Sequence, residues 1–198
     1  MRFMGTPEVH WPVPPPGGFT LDHLLAVRQT HRHTELIDAS LVLTHPPSSF
    51  HTDTVDLLVT GLRATAPDDL KVRRELTVVL DRCNAPAPDI GVIRAGAVTE
   101  RDRRSCAARD LLLAVEVVSP GSASLDRTTK PHKYAAAGIE NFWRVEEEDD
   151  GTIGRPVVHV YELDPVTGRY IHAGLHRDQI KVTEPYDIDI DLTAFDRI

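Results

Sequence analysis

Apolar residues change their period several times along this chain, and each change marks an element. Between residues 51 and 66, Val55, Leu58, Val59 and Leu62 recur at i, i+3, i+4 and i+7, which puts them on one face of an amphipathic helix. Pro67 ends that helix, because proline cannot continue it. Residues 21–28 show the same spacing on a smaller scale, with Leu21, Leu24, Leu25 and Arg28 following a Thr20 suited to an N-cap. Residues 111–118 behave differently. They form an eight-residue apolar run broken only by Glu116, the pattern of a strand buried on both faces. Ser119, Pro120 and Gly121 close the run, since proline has no N–H to give a sheet ladder.

Around that strand the remaining elements follow from turn chemistry. Residues 35–44 alternate as a strand or hairpin, and the two prolines at 46 and 47 make the next stretch a loop. Residues 72–80 and 90–93 are expected as strands, separated by a turn-rich segment at 84–88, and residues 101–109 as a basic, irregular connection. After Gly121 a helix ends at Ala137 with Gly138 as its C′ residue. Strands are expected at 141–145 and 157–163, with 170–175 returning as a hairpin partner and 186–192 as a last strand. Strands outnumbering helices in this order predict a mixed α/β (α+β) fold with a mixed central sheet. Residues 1–18, rich in proline and glycine, read as an extended arm, and residues 19–198 as a single domain.

Composition narrows the classes. With 41% hydrophobic residues the chain can bury a real core, so disorder is not expected. Its two cysteines, Cys83 and Cys106, have no metal-ligand spacing, which suits free thiols in a reducing, cytoplasmic setting. Neither a secretory leader nor a membrane span is expected. A net charge of −8 speaks against a general nucleic-acid coat protein, yet allows an enzyme with a local basic groove. Part of the acidic excess is the run at residues 146–150, read as a solvated turn.

Glu116 changes the picture, because a lone carboxylate in a buried strand needs a cation or donors to meet it. An arginine capping it near the strand end would suffice; so would a functional site. Pro88-Asp89 opens another short strand 27 residues earlier, where Asp89 could also simply cap a turn. If the two strands are neighbours, Asp89 and Glu116 share one edge of the sheet and repel unless a divalent cation lies between them. Oxygen ligands of this kind suit Mg²⁺, which phosphodiester cleavage uses, with a lysine to orient water or steady the leaving oxygen.

An ordered set of short motifs then carries a resemblance. Glu35-Leu-Ile-Asp, Pro46-Pro47-x-x-x-His51 and Pro88-Asp89-Ile-x-Val-Ile come first; Val115-Glu116-Val-Val-Ser-Pro, Asp126-x-x-x-Lys130-x-x-x-Tyr134-Ala-x-Ala-Gly138-Ile and Phe142-Trp143 follow. Together, over about residues 20–163, they resemble the Uma-two family of restriction endonucleases in the PD-(D/E)XK nuclease superfamily. The resemblance implies a restriction-endonuclease-like mixed sheet flanked by helices, with a metal site on its edge. It implies Asp89 and Glu116 as ligands of Mg²⁺ (or Mn²⁺ in its place), the main-chain carbonyl of Val117 as a third contact, and Glu35 reaching the metal directly or through water. Lys130 would be the catalytic lysine, supplied from beyond the usual position, which is Val118 here. His51 would sit beside the same cleft. Two departures stand out: Ala39 where the family usually has glycine, and Pro131 directly after Lys130, which predicts a helix start near Lys130.

Other readings of these residues stand beside that one. Lys130 could face solvent, with Lys133 as the substitute; Asp126 reads as a cap or salt-bridge partner, and Tyr134, Phe142 and Trp143 read as core. Arg101, Arg103, Arg104, Arg109 and Arg127 are placed beside the cleft, where they could meet phosphates or only solubilise a loop. Scattered histidines without HExxH-like spacing, and the lack of P-loop or nucleophile-elbow motifs, disfavour other chemistries. The expectation is a Mg²⁺-dependent DNA endonuclease. The alternatives are a catalytically inactive nuclease-like DNA-binding or assembly module, and a hydrolase with a non-nucleic substrate. DNA is the expected partner, with no membrane association. A homodimer is expected from the apolar arm around Trp11 and the strand and tail at 186–198.

Overall fold

A computed structural model describes residues 11–28, 33–44, 46–98, 105–148 and 154–198. Its centre is β7 (Leu111–Val117), the apolar run. It lies in a six-stranded sheet with β3 (Leu70–Arg74), β5 (Ile90–Arg94), β8 (Asn141–Glu148), β9 (Arg155–Asp164) and β10 (Arg169–His176), in the order β10-β9-β8-β7-β5-β3. β7 pairs antiparallel with β5 and parallel with β8, so the sheet is mixed and the fold is α+β.

Both faces of β7 are covered, as its apolar sequence requires. On one face Leu113, Val115 and Val117 pack with Val55, Leu58, Val59 and Leu62 of α2 (Ser49–Thr65). β11 (Gln179–Val182) and β12 (Ile188–Asp191) form a hairpin that closes this layer with Ile180, Ile188 and Ile190. The hairpin can approach α2 because residue 61 is glycine: a Cβ there would come within 2.6 Å of Ile190. The apolar face of residues 188–192 is therefore buried inside the chain, which removes one of the two grounds for expecting a dimer. On the other face Ala114 packs with Ile93, Ile139, Phe142 and Tyr134, the last from α3 (Lys130–Ala136).

A third, smaller core holds Phe19, Leu24, Leu36 and Ala85. It joins α1 (Leu21–Val27) to the hairpin of β1 (Thr34–Ile37) and β2 (Ser40–Leu43). Thr20 caps α1 as its position suggested, in a reciprocal arrangement with His23. The hairpin turns at Asp38 and Ala39, both left-handed at φ 48° and 56°, as a two-residue primed turn demands. Hydrogen bonds from their N–H groups to Asn84 and to the Cys83 carbonyl, both 2.9 Å, hold this turn without a glycine.

Three expectations change. Residues 72–80 are not one strand: the chain leaves β3 at Glu75, whose φ is +50°, and β4 (Thr77–Val79) pairs in parallel with β6 (Ser105–Ala107). The stretch at 101–109 is thus partly ordered strand, while 101–104 lie outside the described residues. β11 was not anticipated, since QIKV is too short and polar to signal a strand by period alone.

The chain is already helical before Lys130. Leu125–Thr129 form a π-turn that runs directly into α3. Widening the turn here is the local answer to Pro131, which lacks an N–H and would otherwise crowd the preceding turn. Gly138, at φ +76°, ends the helix as expected.

Candidate active site

Glu116 is the residue the strand cannot bury alone, and α3 brings its partners. β7 alternates, so Glu116 shares the face of Ala114 and points toward α3. There the Lys130 ammonium lies 3.1 Å from Glu116 Oε2, and the Tyr134 hydroxyl donates to Glu116 Oε1 at 2.6 Å. Residues 126, 130 and 134 follow one side of the helical segment, and the π-turn keeps Asp126 on the cluster side. Lys130 Nζ is also 3.0 Å from Asp126 and 3.2 Å from Glu35. One ammonium is thus shared by three carboxylates from three separate elements, all of them buried.

Asp89 stands just before β5, opposite the end of β7. Its Oδ2 accepts the Val117 N–H at 2.7 Å, and its Oδ1 lies 3.1 Å from His51 Nε2. His51 comes from the first turn of α2, whose N-cap Ser48 accepts the His51 N–H. Glu35 is held differently: the Ala87 N–H donates to its Oε1 at 3.0 Å, while its Oε2 is buried with no hydrogen-bond partner. These side chains line a cleft of about 80 Å³, together with Arg28, Ser119 and Ser122.

The electrostatics follow from burial and crowding. Burial pushes the Glu116 carboxyl well above the usual carboxylate range; Lys130 opposes this, and Asp126, Asp89 and Glu35 add to it. Asp126 is also raised, by burial before anything else. Burial would lower the Lys130 ammonium, but Glu116, Glu35 and Asp126 outweigh it and hold Lys130 well above its ordinary value. The surrounding carboxylates therefore favour the ammonium form of Lys130 over the neutral amine. Burial and the neighbouring Glu116 likewise keep the Tyr134 hydroxyl protonated. Burial would lower His51, and its hydrogen bond to Asp89 reverses that and raises it.

The donor set fits a hard divalent ion. Five carboxylates, Glu35, Glu75, Asp89, Glu116 and Asp126, line the cleft with the buried Lys130 ammonium, Arg28 and two histidines, and a buried carboxylate oxygen of Glu35 lacks a donor. Among the described residues, however, no three Asp, Glu, His or Cys side chains are already gathered in metal-ligating geometry. Glu116, Asp126 and Glu35 converge instead on Lys130, so an ion bound to Glu116 competes with that ammonium.

Of the residues singled out from sequence, Glu35, Asp89, Glu116, Val117, Lys130 and His51 come together in this cleft. Asp126 joins them as the salt-bridge partner it was read to be. Tyr134, read as core, is buried but also holds Glu116. Lys133 turns away and pairs with Asp38 at the hairpin turn. Arg127 is corrected: it binds Glu146 through two hydrogen bonds of 2.6 and 2.9 Å, outside the cleft. Arg109 is exposed and does not line the cleft, and Arg101, Arg103 and Arg104 lie outside the described residues. The cleft's arginine is Arg28, which hydrogen-bonds Thr77. Sequence reasoning assigned Arg28 only to a helix face, and nothing local marks it, because the α1–β4 approach brings it there.

Comparison with known proteins bears on the family and the fold. The model of the Uma2 family, described as "Putative restriction endonuclease", matches residues 21–193. A crystal structure from Anabaena variabilis ATCC 29413, described as a putative nuclease belonging to DUF820, superposes with a TM-score of 0.65 at 15% identity. The alignment covers 89% of this chain and 97% of that one, and at that identity it speaks for the fold. No curated protein matches the sequence. Among the described residues no helix is long and apolar enough to cross a membrane.

Proposed function

Because the chain belongs to the Uma2 family of restriction-endonuclease-like proteins, we propose that it is a DNA endonuclease that hydrolyses phosphodiester bonds with a divalent metal ion, Mg²⁺ or Mn²⁺. The observation that carries this reading is the convergence of buried Glu35, Glu116 and Asp126 on Lys130 beside Asp89. A stabilising network has little reason to gather more buried acid than base, since uncompensated buried charge destabilises a fold.

Asp89 and Glu116 would hold the ion, with the Val117 carbonyl as a further contact and Glu35 reaching it directly or through water. When bound, the ion polarises a water and offsets the charge that develops on the phosphate. The chain's own residues do the rest. His51 and the Val117 N–H fix the Asp89 carboxylate from two sides, and Tyr134 fixes Glu116. Lys130, whose ammonium form the surrounding carboxylates favour, offers its N–H donors to the attacking water or to a phosphate oxygen once a carboxylate releases it. Arg28 supplies a second cation at the cleft wall for the DNA backbone. As the water oxygen bonds to phosphorus it gives up a proton to solvent, and the bond to the departing sugar oxygen breaks, that oxygen taking up a proton from solvent as it leaves.

Incubation of plasmid and single-stranded DNA with Mg²⁺ or Mn²⁺ tests the reading. Cleavage is expected, and its loss is expected in Glu116→Gln and Asp89→Asn. Metal-independent DNA binding without cleavage in the unmodified protein would replace it with the binding-module alternative. Residues 19–198 acting as one domain in a cytoplasmic homodimer completes the proposal, and light scattering tests the dimer. A monomer at micromolar concentration refutes it.

A further inference from the structure

A second and larger hollow, about 410 Å³, lies on the opposite side of α3 from the Lys130 cluster. That is within the range of about 300–1,000 Å³ typical of small-molecule sites. Pro131, His132, Ala135 and Ala136 form its helical wall, while Lys130 of the same helix lines the cleft and Tyr134 turns to Glu116. Among the described residues its lining includes Arg127, Arg144 and Arg169 and no carboxylate. Glu146, just outside, binds Arg127 and sits 3.0 Å from Arg144, so among the described residues one acid is paired with two of the three guanidinium groups. Such a concentration of arginine is unusual in a chain of net charge −8 and makes the hollow complementary to an anion.

The floor is aromatic. Phe142 stacks between Tyr161 and Tyr170 at centroid distances of 5.7 and 5.5 Å, both at 29°. His172 meets Tyr161 edge-on at 5.2 Å, and the Arg144 guanidinium lies 5.5 Å from the Tyr161 ring centroid. The Tyr170 hydroxyl donates to the Ile139 carbonyl at 2.8 Å and fixes its ring. A bare phosphate has no use for such a floor, and an apolar ligand has no use for three arginines. A ligand with a flat ring and an attached anion uses both.

We propose that this hollow is a nucleotide-binding site separate from the catalytic cleft. The base lies against Tyr161 beside Arg144, and the phosphate meets Arg127 and Arg169 at the rim. The nucleotide is either free in solution or the terminal residue of a strand, which share this chemistry.

The test titrates the full chain, in chelator so that no metal bridges ligand to the cleft, with adenosine 5′-monophosphate, adenosine and inorganic phosphate. Calorimetry should give saturable binding of the monophosphate, with adenosine and phosphate each weaker by about tenfold or more. Arg169→Ala and Arg127→Ala, both at exposed positions, should each weaken the monophosphate by a similar factor, while Asp89→Asn leaves it unchanged. A 5′-phosphorylated single-stranded oligonucleotide that displaces the monophosphate assigns the site to a strand end; failure to displace it assigns the site to free nucleotide. No saturation, equal affinity for phosphate alone, indifference to both arginine substitutions, or loss in Asp89→Asn would each overturn the proposal. None of these results depends on DNA cleavage.

Discussion

Replacing Lys130 with methionine keeps the length of the side chain and removes, among the described residues, the only cation in contact with Glu35, Glu116 and Asp126. The three carboxylates are 4%, 1% and 2% exposed, so water cannot take the ammonium's place. Breaking a buried charge network from one side costs about 3–5 kcal/mol, a large part of the roughly 5–15 kcal/mol that holds a domain folded. At about 2–4 °C per kcal/mol for a chain of this size, the midpoint should fall by about 6–20 °C. Two further arms identify the cause. Adding Glu116→Gln to Lys130→Met should recover part of the loss, because it removes one of the stranded charges. Mn²⁺ should raise the midpoint of Lys130→Met more than that of the unmodified protein, since the ion no longer competes with an ammonium. Thermal unfolding followed by circular dichroism reads all three. A shift below about 3 °C, or a double variant no more stable than the single, would show that Lys130 is not the counter-ion of this cluster.

Tyr134→Phe leaves Glu116 Oε1 without its donor and should lower stability by about 1–3 kcal/mol in urea unfolding, with secondary structure unchanged. Gly61→Ala places a methyl against Cγ1, Cγ2 and Cδ1 of Ile190 at the contact between α2 and β12; overpacking of that kind should cost about 1–3 kcal/mol, and Gly61→Ala should cost less in an Ile190→Ala background, where all three atoms are gone. Burial raises the Tyr186 hydroxyl, which donates to the Leu62 carbonyl, to about 12. The unfolded chain ionises near about 10, so this contribution is whole below that pH and lost as pH rises through 12. Unfolding curves of the unmodified protein and Tyr186→Phe should therefore converge or cross between those limits; parallel curves would remove Tyr186 from the alkaline transition.

The residues that local physics governs were legible along the chain. The spacing of Val55, Leu58, Val59 and Leu62 is a helix face whatever it packs on, and all four are buried. The run around Val115 could only be a central strand, and Glu116 within it had to find a partner. Which partner was a tertiary matter. Asp126, Lys130 and Tyr134 read as a cap, a lysine of uncertain direction and a core aromatic until α3 docks on the sheet and brings all three to one carboxylate. Arg28 reaches the cleft, and Arg127 misses it, through contacts with Thr77 and Glu146 that lie 49 and 19 residues away in sequence. The break at Glu75 belongs to the same class: nothing in residues 72–80 interrupts a strand pattern, and the chain turns there because β4 has a partner in β6. Periodicity reports the face an element must bury, whereas the contents of a site depend on which buried faces meet, and only the folded chain decides that.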